Sequence, residues 1–209
     1  MKKIASSISA NAYHRITRYL NYLIGLSKEY EEYISSTNIG DALNINNVVV
    51  RKDLSIVSGN GKSKIGYDKL ELIRDIKKFL GHDTLTNSVL VGVGHLGQAL
   101  LSYKNFKKYG LNIVTAFDIS EKIVGKIVNN TKILNSKEIV DSCIFFNVKV
   151  GIITTPDFIA QEVAEALVNG GVSAIWNFAP CELKVPNEIS VKYEDMAASL
   201  AILIKQLNK

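Results

Sequence analysis

Residues 89–100 read VLVGVGHLGQAL, an apolar run, a glycine-rich turn and the opening of a helix. This stretch constrains the fold more than any other in the chain. The turn matches G-x-G-x-x-G at Gly92, Gly94 and Gly97. Between a strand and a helix each glycine has its own task. The first permits the tight turn, the second lets a pyrophosphate approach the backbone, and the third lets the helix pack closely on the strand. Free N–H groups and partial positive charge at the helix start suit phosphate. Gly92, Val93, Gly94, His95, Leu96 and Gly97 are therefore candidate cofactor-binding residues. A second apolar run, GLNIVTAFD, ends at Asp118, 21 residues beyond Gly97. An acid there accepts bonds from the adenosine ribose hydroxyls and repels a 2′-phosphate, so the pattern favours NAD over NADP.

Around this unit the second half of the chain alternates. Strands are predicted at 88–93, 111–118, 148–154, 172–178 and 189–193, and helices at 95–108, 137–144, 157–169 and 195–207. Such alternation argues for a parallel sheet covered by helices. The motif sits in mid-chain, with about eighty residues before it and about 120 after its strand, enough for one Rossmann-type domain. No separate substrate domain fits. His14 and His82 lie outside the α/β half, and His95 lies in the phosphate loop, a poor place for a general base. No Ser-His-Asp or Cys-His constellation stands out, so the expected cradle binds a dinucleotide without transforming it.

Charge separates the two halves. Residues 1–80 hold 13 Lys and Arg against 8 Asp and Glu, which accounts for the whole net charge of +5. Basic charge confined to one segment suggests an anionic partner for that segment, although a solvated surface is the plainer reading. In this segment Ile16, Tyr19, Leu20, Leu23 and Ile24 recur at helical spacing. A short helix follows Ser35 or Ser36, either of which can cap it. Asn46 or Asn47 can cap the next, with Val49, Leu54 and Val57 facing inward, although Val48-Val49-Val50 favours strand by propensity. GNGKSKIG reads as a basic loop tip. A clear helix follows over YDKLELIRDIKKFLG, with Asp68 and Glu71 at capping-box spacing and Gly81 at its stop. Three helices, a basic tip and a fourth helix suggest a winged helix-turn-helix, whose second helix of the pair enters the major groove of double-stranded DNA. Arg51 and Lys52 would project from that helix, while Lys62 and Lys64 would reach phosphates or the minor groove.

Two cysteines, Cys143 and Cys181, give no disulfide framework and no metal cluster. No apolar stretch reaches the ~18 residues of a membrane span, and the N-terminal residues lack a signal-peptide core. The reading is a cytoplasmic protein with no metal and no membrane contact.

Several stretches in order, VVVRKDLS, IGYDKLEL, VLVGVGHLGQALLSY, AFDIS, GIITTPDFIAQEVAEALVNGGV and NFAP, resemble the redox-sensing transcriptional repressor family Rex. The resemblance spans residues of about 48–181 and is far more specific than the glycine motif alone. It implies a homodimer that is not an enzyme. Each chain would have an N-terminal winged helix and a Rossmann-type NAD-binding domain. Such a dimer binds an inverted-repeat operator and releases it when NADH, rather than NAD+, is bound. It implies a division into a winged-helix domain over 1–81, a dinucleotide-binding domain over 82–194 and a dimerisation helix over 195–209, exchanged between subunits. By resemblance Arg51, Lys52 and Ser55 belong to the recognition helix. Thr155 and Pro156, with Phe178, Ala179 and Pro180, lie beside the nicotinamide. Tyr103 and Asp195 pair across subunits in the NADH-bound form. Leu200, Leu203, Ile204 and Leu207 make an apolar stripe on the last helix, suited to a partner or to its own domain.

Three positions depart from the family pattern. KSK at 62–64 replaces a wing TRG, Asn21 stands where an arginine pairs with the partner's aspartate in the DNA-bound form, and Met196 replaces Phe or Leu. Two other readings remain at this point. One is an NAD-dependent oxidoreductase with an N-terminal helical dimerisation domain. The other is a nucleotide- or CoA-binding subunit, which leaves Asp118 and the basic excess unexplained.

Overall fold

The computed structural model of the chain describes residues 8–26, 32–59, 61–62 and 65–207. They fall into two compact units, Met1–Thr84 and Leu85–Lys209.

The first unit contains α1 (Ala10–Gly25), α2 (Ser36–Leu43), α3 (Asn47–Val57) and α4 (Lys69–Phe79), with β1 (Tyr33–Ile34) antiparallel to β2 (Tyr67–Asp68). Ser9 caps α1 by accepting from the Ala12 amide. Helix α1 buries Ala12, Ile16, Tyr19, Leu20 and Leu23. Ile24, expected inward, is 55% exposed; the 100° step per residue carries it past the stripe that Leu23 closes. Of the two candidate serines Ser35 caps α2, in a capping box with Asn38. Asn46 caps α3. The valine run is helical because that cap and the burial of Val50 and Leu54 outweigh β-branched propensity. The inward valine is Val50; Val49 is half-buried. Asp68 caps α4 through the Glu71 amide, and Gly81 follows with φ +72°, the left-handed stop expected of it. An antiparallel bridge between Lys62 and Gly66 closes the loop tip, while Lys64 lies outside the described residues. The result is a winged-helix arrangement around one core in which Ile16, Leu20, Ile39, Leu54 and Ile76 meet.

The second unit is a seven-stranded sheet in the order β5-β6-β4-β3-β7-β8-β9. Its strands are β3 (Thr86–Val91), β4 (Leu111–Asp118), β5 (Ile127–Val128), β6 (Thr131–Asn135), β7 (Val150–Ile153), β8 (Ala174–Asn177) and β9 (Ser190–Tyr193). All neighbours are parallel except β5 on β6. From β6 to β9 this is the doubly wound 3-2-1-4-5-6 order, in which ligands bind where the order reverses, outside the carboxyl ends of the strands. That point lies between β3 and β7. Helices α6 (Ile139–Phe145) and α7 (Asp157–Asn169) contribute to a core with Val89, Val91 and Ile153. Helix α5 (His95–Ser102) contributes Leu101 to a second core with Leu90, Ala116 and Ile152.

Three expectations differ. The helix predicted over 95–108 ends at Ser102, and Phe106–Tyr109 form a separate 3-10 turn. The helix predicted over 137–144 opens with a 3-10 turn at Ser136–Glu138. The β5–β6 hairpin was not foreseen; Asn129 and Asn130 turn it, with φ +48° and +64°, the conformation of a two-residue I′ turn. The last helix, α8 (Met196–Leu207), buries none of its residues, Leu200, Leu203, Ile204 and Leu207 included. No described helix is long and apolar enough to cross a membrane.

Both cysteines are free thiols. Burial pushes the Cys143 thiol up to about 11, so at neutral pH only about one molecule in ten thousand carries the reactive thiolate. Iodoacetamide is therefore expected to leave Cys143 unmodified in the folded protein and to modify it after denaturation. Peptide mass spectrometry reads this, and equal labelling of Cys143 in both states would contradict it.

Candidate cofactor and nucleic-acid sites

The turn after β3 forms the floor of the candidate cofactor site. Gly92 has φ +98°, and a Cβ there would lie 2.9 Å from the Thr154 carbonyl and from Thr155 Cγ2. At Gly97 a Cβ would lie 2.1 Å from the Gly92 carbonyl oxygen, which is the close helix-to-turn packing expected of the third glycine. Gly94 differs. Its φ is −71°, and a Cβ there would meet nothing within 4 Å. Neither backbone nor packing demands glycine at this position, which leaves room for an approaching ligand. Gly94 is also the N-cap of α5 and offers no side-chain cap bond, so the helix start is suited to an anion. His95 in the first turn is exposed, and Leu96 is half-buried.

Asp118 ends β4 beside this turn. Its Oδ2 accepts from the Val93 amide at 2.7 Å and its Oδ1 from the Ser120 amide at 2.8 Å. The Val93 amide is thus committed to the carboxylate rather than open to phosphate. Each oxygen keeps acceptor capacity for a further donor, as a ribose requires. Ser120 had no sequence signal beyond its distance from Asp118.

The turn after β7 closes the other side. Thr154 Oγ1 donates to the Gly92 carbonyl at 2.6 Å and locks the two turns together. Thr155 is 9% exposed, and its hydroxyl is buried with no hydrogen-bond partner. A buried orphan hydroxyl is costly, and at the switch point of a doubly wound sheet a polar ligand group would satisfy it. Pro156, next to it, is exposed.

The turn after β8 lies alongside, with the Phe178 amide donating to the Ile153 carbonyl at 2.9 Å. Fully buried Asn177 shapes it. Its side-chain amide donates to the Ala179 and Cys181 carbonyls, and its oxygen accepts from the Ala179 amide. Sequence reasoning chose Phe178, Ala179 and Pro180 and missed Asn177, which holds them; a polar residue ending an apolar run was the available signal. Together, the free helix start, the open space at Gly94, the orphan hydroxyl and the acid at the end of β4 fit a dinucleotide.

In the first unit Arg51, Lys52 and Ser55 are all exposed on α3, at the three-and-four spacing of one helical face. The Ser55 hydroxyl donates to the Lys52 carbonyl at 2.7 Å. The opposite face is fixed by a buried polar cluster absent from the sequence reading. Arg15 on α1 donates twice to Asp53, at 2.7 and 2.9 Å, and the Tyr19 hydroxyl donates to the same carboxylate at 2.8 Å. Burial, with Asp53 alongside, pushes the Tyr19 phenol up to about 12. The bond to Asp53 likewise raises the Arg15 guanidinium above its ordinary value, against the effect of burial. An acid on the inward stripe of α3 was the signal that could have revealed this cluster. At the loop tip the Lys62 ammonium sits 5.3 Å from the centre of the Tyr33 ring. Tyr103 ends α5 and is 47% exposed, and Asp195 caps α8 by accepting from the Ala198 amide at 2.8 Å.

The CoA binding domain family matches residues 83–181, and the family described as putative DNA-binding protein N-terminus matches residues 7–55. The chain is similar to the redox-sensing transcriptional repressor Rex of Bacteroides thetaiotaomicron, with 36% identity over 194 residues, 93% of this chain and 88% of the relative. It is similar to the protein of the same name from Lactobacillus acidophilus, with 34% identity over 190 residues, 91% of this chain and 90% of the relative. Among solved structures it resembles RSP in complex with β-NAD+ and operator DNA, with a TM-score of 0.89, 32% identity and coverage of 96% of this chain and 93% of the other. RSP in complex with β-NADH matches with a TM-score of 0.83 and 31% identity, over 97% of this chain and 95% of the other.

Proposed function

We propose a function from one premise: the chain belongs to the redox-sensing transcriptional repressor Rex family. It is a cytoplasmic DNA-binding repressor, not an enzyme, that senses the NADH/NAD+ ratio and leaves its operator in the NADH-bound form. The observation that carries this reading is the pairing, in one chain, of an exposed basic face on a firmly held α3 with a glycine cradle beside an orphan hydroxyl and a ribose-binding acid. The oxidoreductase reading is set aside, because the relatives are named repressors.

Each site residue has a role in this reading. Arg51, Lys52 and Ser55 meet the major groove, and Lys62 and Lys64 meet flanking phosphates. The amides at the start of α5, among Gly94, His95, Leu96 and Gly97, hold the pyrophosphate, and Gly92 gives the turn its shape. Val93 fixes Asp118, which takes the adenosine ribose. Thr155 and Pro156 line one side of the nicotinamide; Phe178, Ala179 and Pro180 line the other. The bound dinucleotide supplies the signal, as the oxidation state of that ring. Residues 1–81 act as the DNA-binding domain, 82–194 as the sensor and 195–209 as a dimerisation helix. Because α8 hides none of its apolar residues within its own chain, a second copy is its partner in a homodimer, by helix exchange. Tyr103 of one copy and Asp195 of the other pair in the released form.

The switch is a linkage. In the DNA-bound dimer two α3 helices match half-sites about 34–36 Å apart on an inverted repeat. To take occupancy from about 99% to about 1%, the cofactor-bound chain must favour the released dimer by about 5.5 kcal/mol. Fluorescence anisotropy on a labelled inverted-repeat duplex, with and without NADH, tests the reading. Arg51→Ala is expected to weaken operator binding by about tenfold and to flatten the salt dependence by about one unit of slope. Calorimetry should find NADH binding unchanged in that variant. Unchanged DNA affinity and slope would remove α3 from the interface, and failure of NADH to release the duplex from the parent would remove the sensor.

A further inference from the structure

Four aromatic rings run in unbroken contact through the second unit. Phe178, in the turn after β8, lies 4.8 Å from Trp176 between ring centres. Phe106 meets Trp176 edge-on at 5.8 Å, and Tyr103 meets Phe106 edge-on at 4.8 Å. The chain of rings thus leads from the candidate nicotinamide turn to a tyrosine that is half exposed. A second branch leaves the indole. Trp176 Nε1 donates to Glu194 Oε1 at 3.0 Å, and the Glu194 amide donates to the Asn177 carbonyl at 2.9 Å. The next residue, Asp195, caps α8, whose residues are all exposed.

The strand at this point is more enclosed on one face than on the other. Ile175 and Asn177 are buried to within 1%, on the sheet face opposite Trp176. Trp176 itself is half-buried, and an open cleft of about 370 Å³ borders its ring and Glu194. The indole has a tilted contact with Phe178 and an edge contact with Phe106, and with only two side-chain torsions it moves as one piece. A planar ring in contact with both Phe178 and Phe106 passes a displacement from one to the other, and its N–H carries the movement to the root of α8.

We propose that Trp176 is a positioning residue that couples the site beside Phe178 to the two exposed features, Tyr103 and α8, at which a second copy is met. This rests on the proposed function and adds the path by which the cofactor site reaches the dimer contacts. The indole joins the turn after β8, the 3-10 turn at Phe106 and, by its N–H, Glu194 at the edge of the unit.

Two variants separate the branches. Trp176→Phe keeps a ring but removes the N–H to Glu194; Phe106→Leu breaks the ring path and keeps the N–H. For both, NADH affinity by calorimetry and operator affinity without cofactor should stay within about threefold of the parent, while the NADH concentration for half-release rises about tenfold or more, a common size for coupling between sites. Trp176 is the sole tryptophan, so its emission should respond to NADH in the parent and in Phe106→Leu, even where release no longer follows. Release at the parent's NADH concentration in both variants would overturn the proposal. So would an NADH affinity that falls by the same factor as release, because Trp176 would then merely help bind. If Trp176→Phe does not fold, Glu194→Ala tests the same branch, with the same expected rise and the same overturning result. A parent that binds no NADH would instead overturn the proposed function, and this coupling with it.

Discussion

Asp53→Ala is expected to destabilise the N-terminal unit by about 1–3 kcal/mol, the cost of leaving a buried polar group without its partner. The Asp53 side chain is only 6% exposed and accepts three bonds, two from Arg15 and one from Tyr19. Its loss leaves the Tyr19 hydroxyl without that acceptor and the guanidinium without its counter-charge. Against a total of about 5–15 kcal/mol for a domain, this raises the unfolded population of the unit by about fivefold or more. Operator binding should fall with it, while NADH binding to the second unit should persist. Hydrogen exchange over residues 8–80, compared with that over 85–207, reads the contrast; a variant as protected as the parent would refute it. The same cluster sets an alkaline limit. Tyr19 is held protonated up to about 12 in the folded state, above its ordinary value of 10.0. The folded state therefore keeps a proton that the unfolded chain releases first. Its contribution is intact below pH 10 and is lost as the pH rises towards 12. The matching melt is loss of helical signal in that window.

The second large effect is at Asp118. Asp118→Ala is expected to weaken NADH binding by about 100-fold or more, since each hydrogen bond to a charged group contributes about 1.5–3 kcal/mol. Two such bonds, from Val93 and Ser120, shape the turn before any ligand arrives, and the proposed ribose contacts would go with them. NADPH should lose less, because the carboxylate that repels its 2′-phosphate is gone. Calorimetry with both cofactors measures the pair of effects. NADPH binding the parent as tightly as NADH would show that the acid does not select between them. Asp118→Asn should not rescue, since an amide can satisfy at most one of the two backbone donors with its oxygen.

Much of this was legible in the sequence because it follows from short-range rules. The glycines announced the turn, the alternating runs announced the sheet, and Ser35, Asn46 and Asp68 announced helix starts. The glycine turn could be read for the same reason: turn geometry is written locally. What was missed depends on pairings distant in sequence. Asp53 stands on the inward stripe of α3, but its partners appear only when α1 brings Arg15 and Tyr19 onto it across 38 and 34 positions. Thr154 gains meaning only when it bonds to Gly92 across 62. The hairpin at 127–135 was missed for a different reason: its strands are short, and an Asn-Asn turn is a weaker flag than Asn-Gly. Helix α5 was drawn too long because its apolar pattern runs on through Phe106 after the backbone has left the helix at Tyr103.

The glycine floor also bears on how such a sensor can be retuned over generations. A methyl group at Gly97 would sit 2.1 Å from a carbonyl oxygen of the same turn, and one at Gly92 would strike backbone as well. These positions offer no graded series of substitutions: each change either leaves glycine or breaks the turn. A lineage that needs to respond at a different NADH level must therefore find its adjustments around the rim, where side chains rather than backbone do the touching. Thr155 and Phe178 are the proposed places of this kind, where small changes would shift a threshold without dismantling the cradle. The rigid floor and the adjustable rim divide the site into a part that selection can only keep and a part that it can tune.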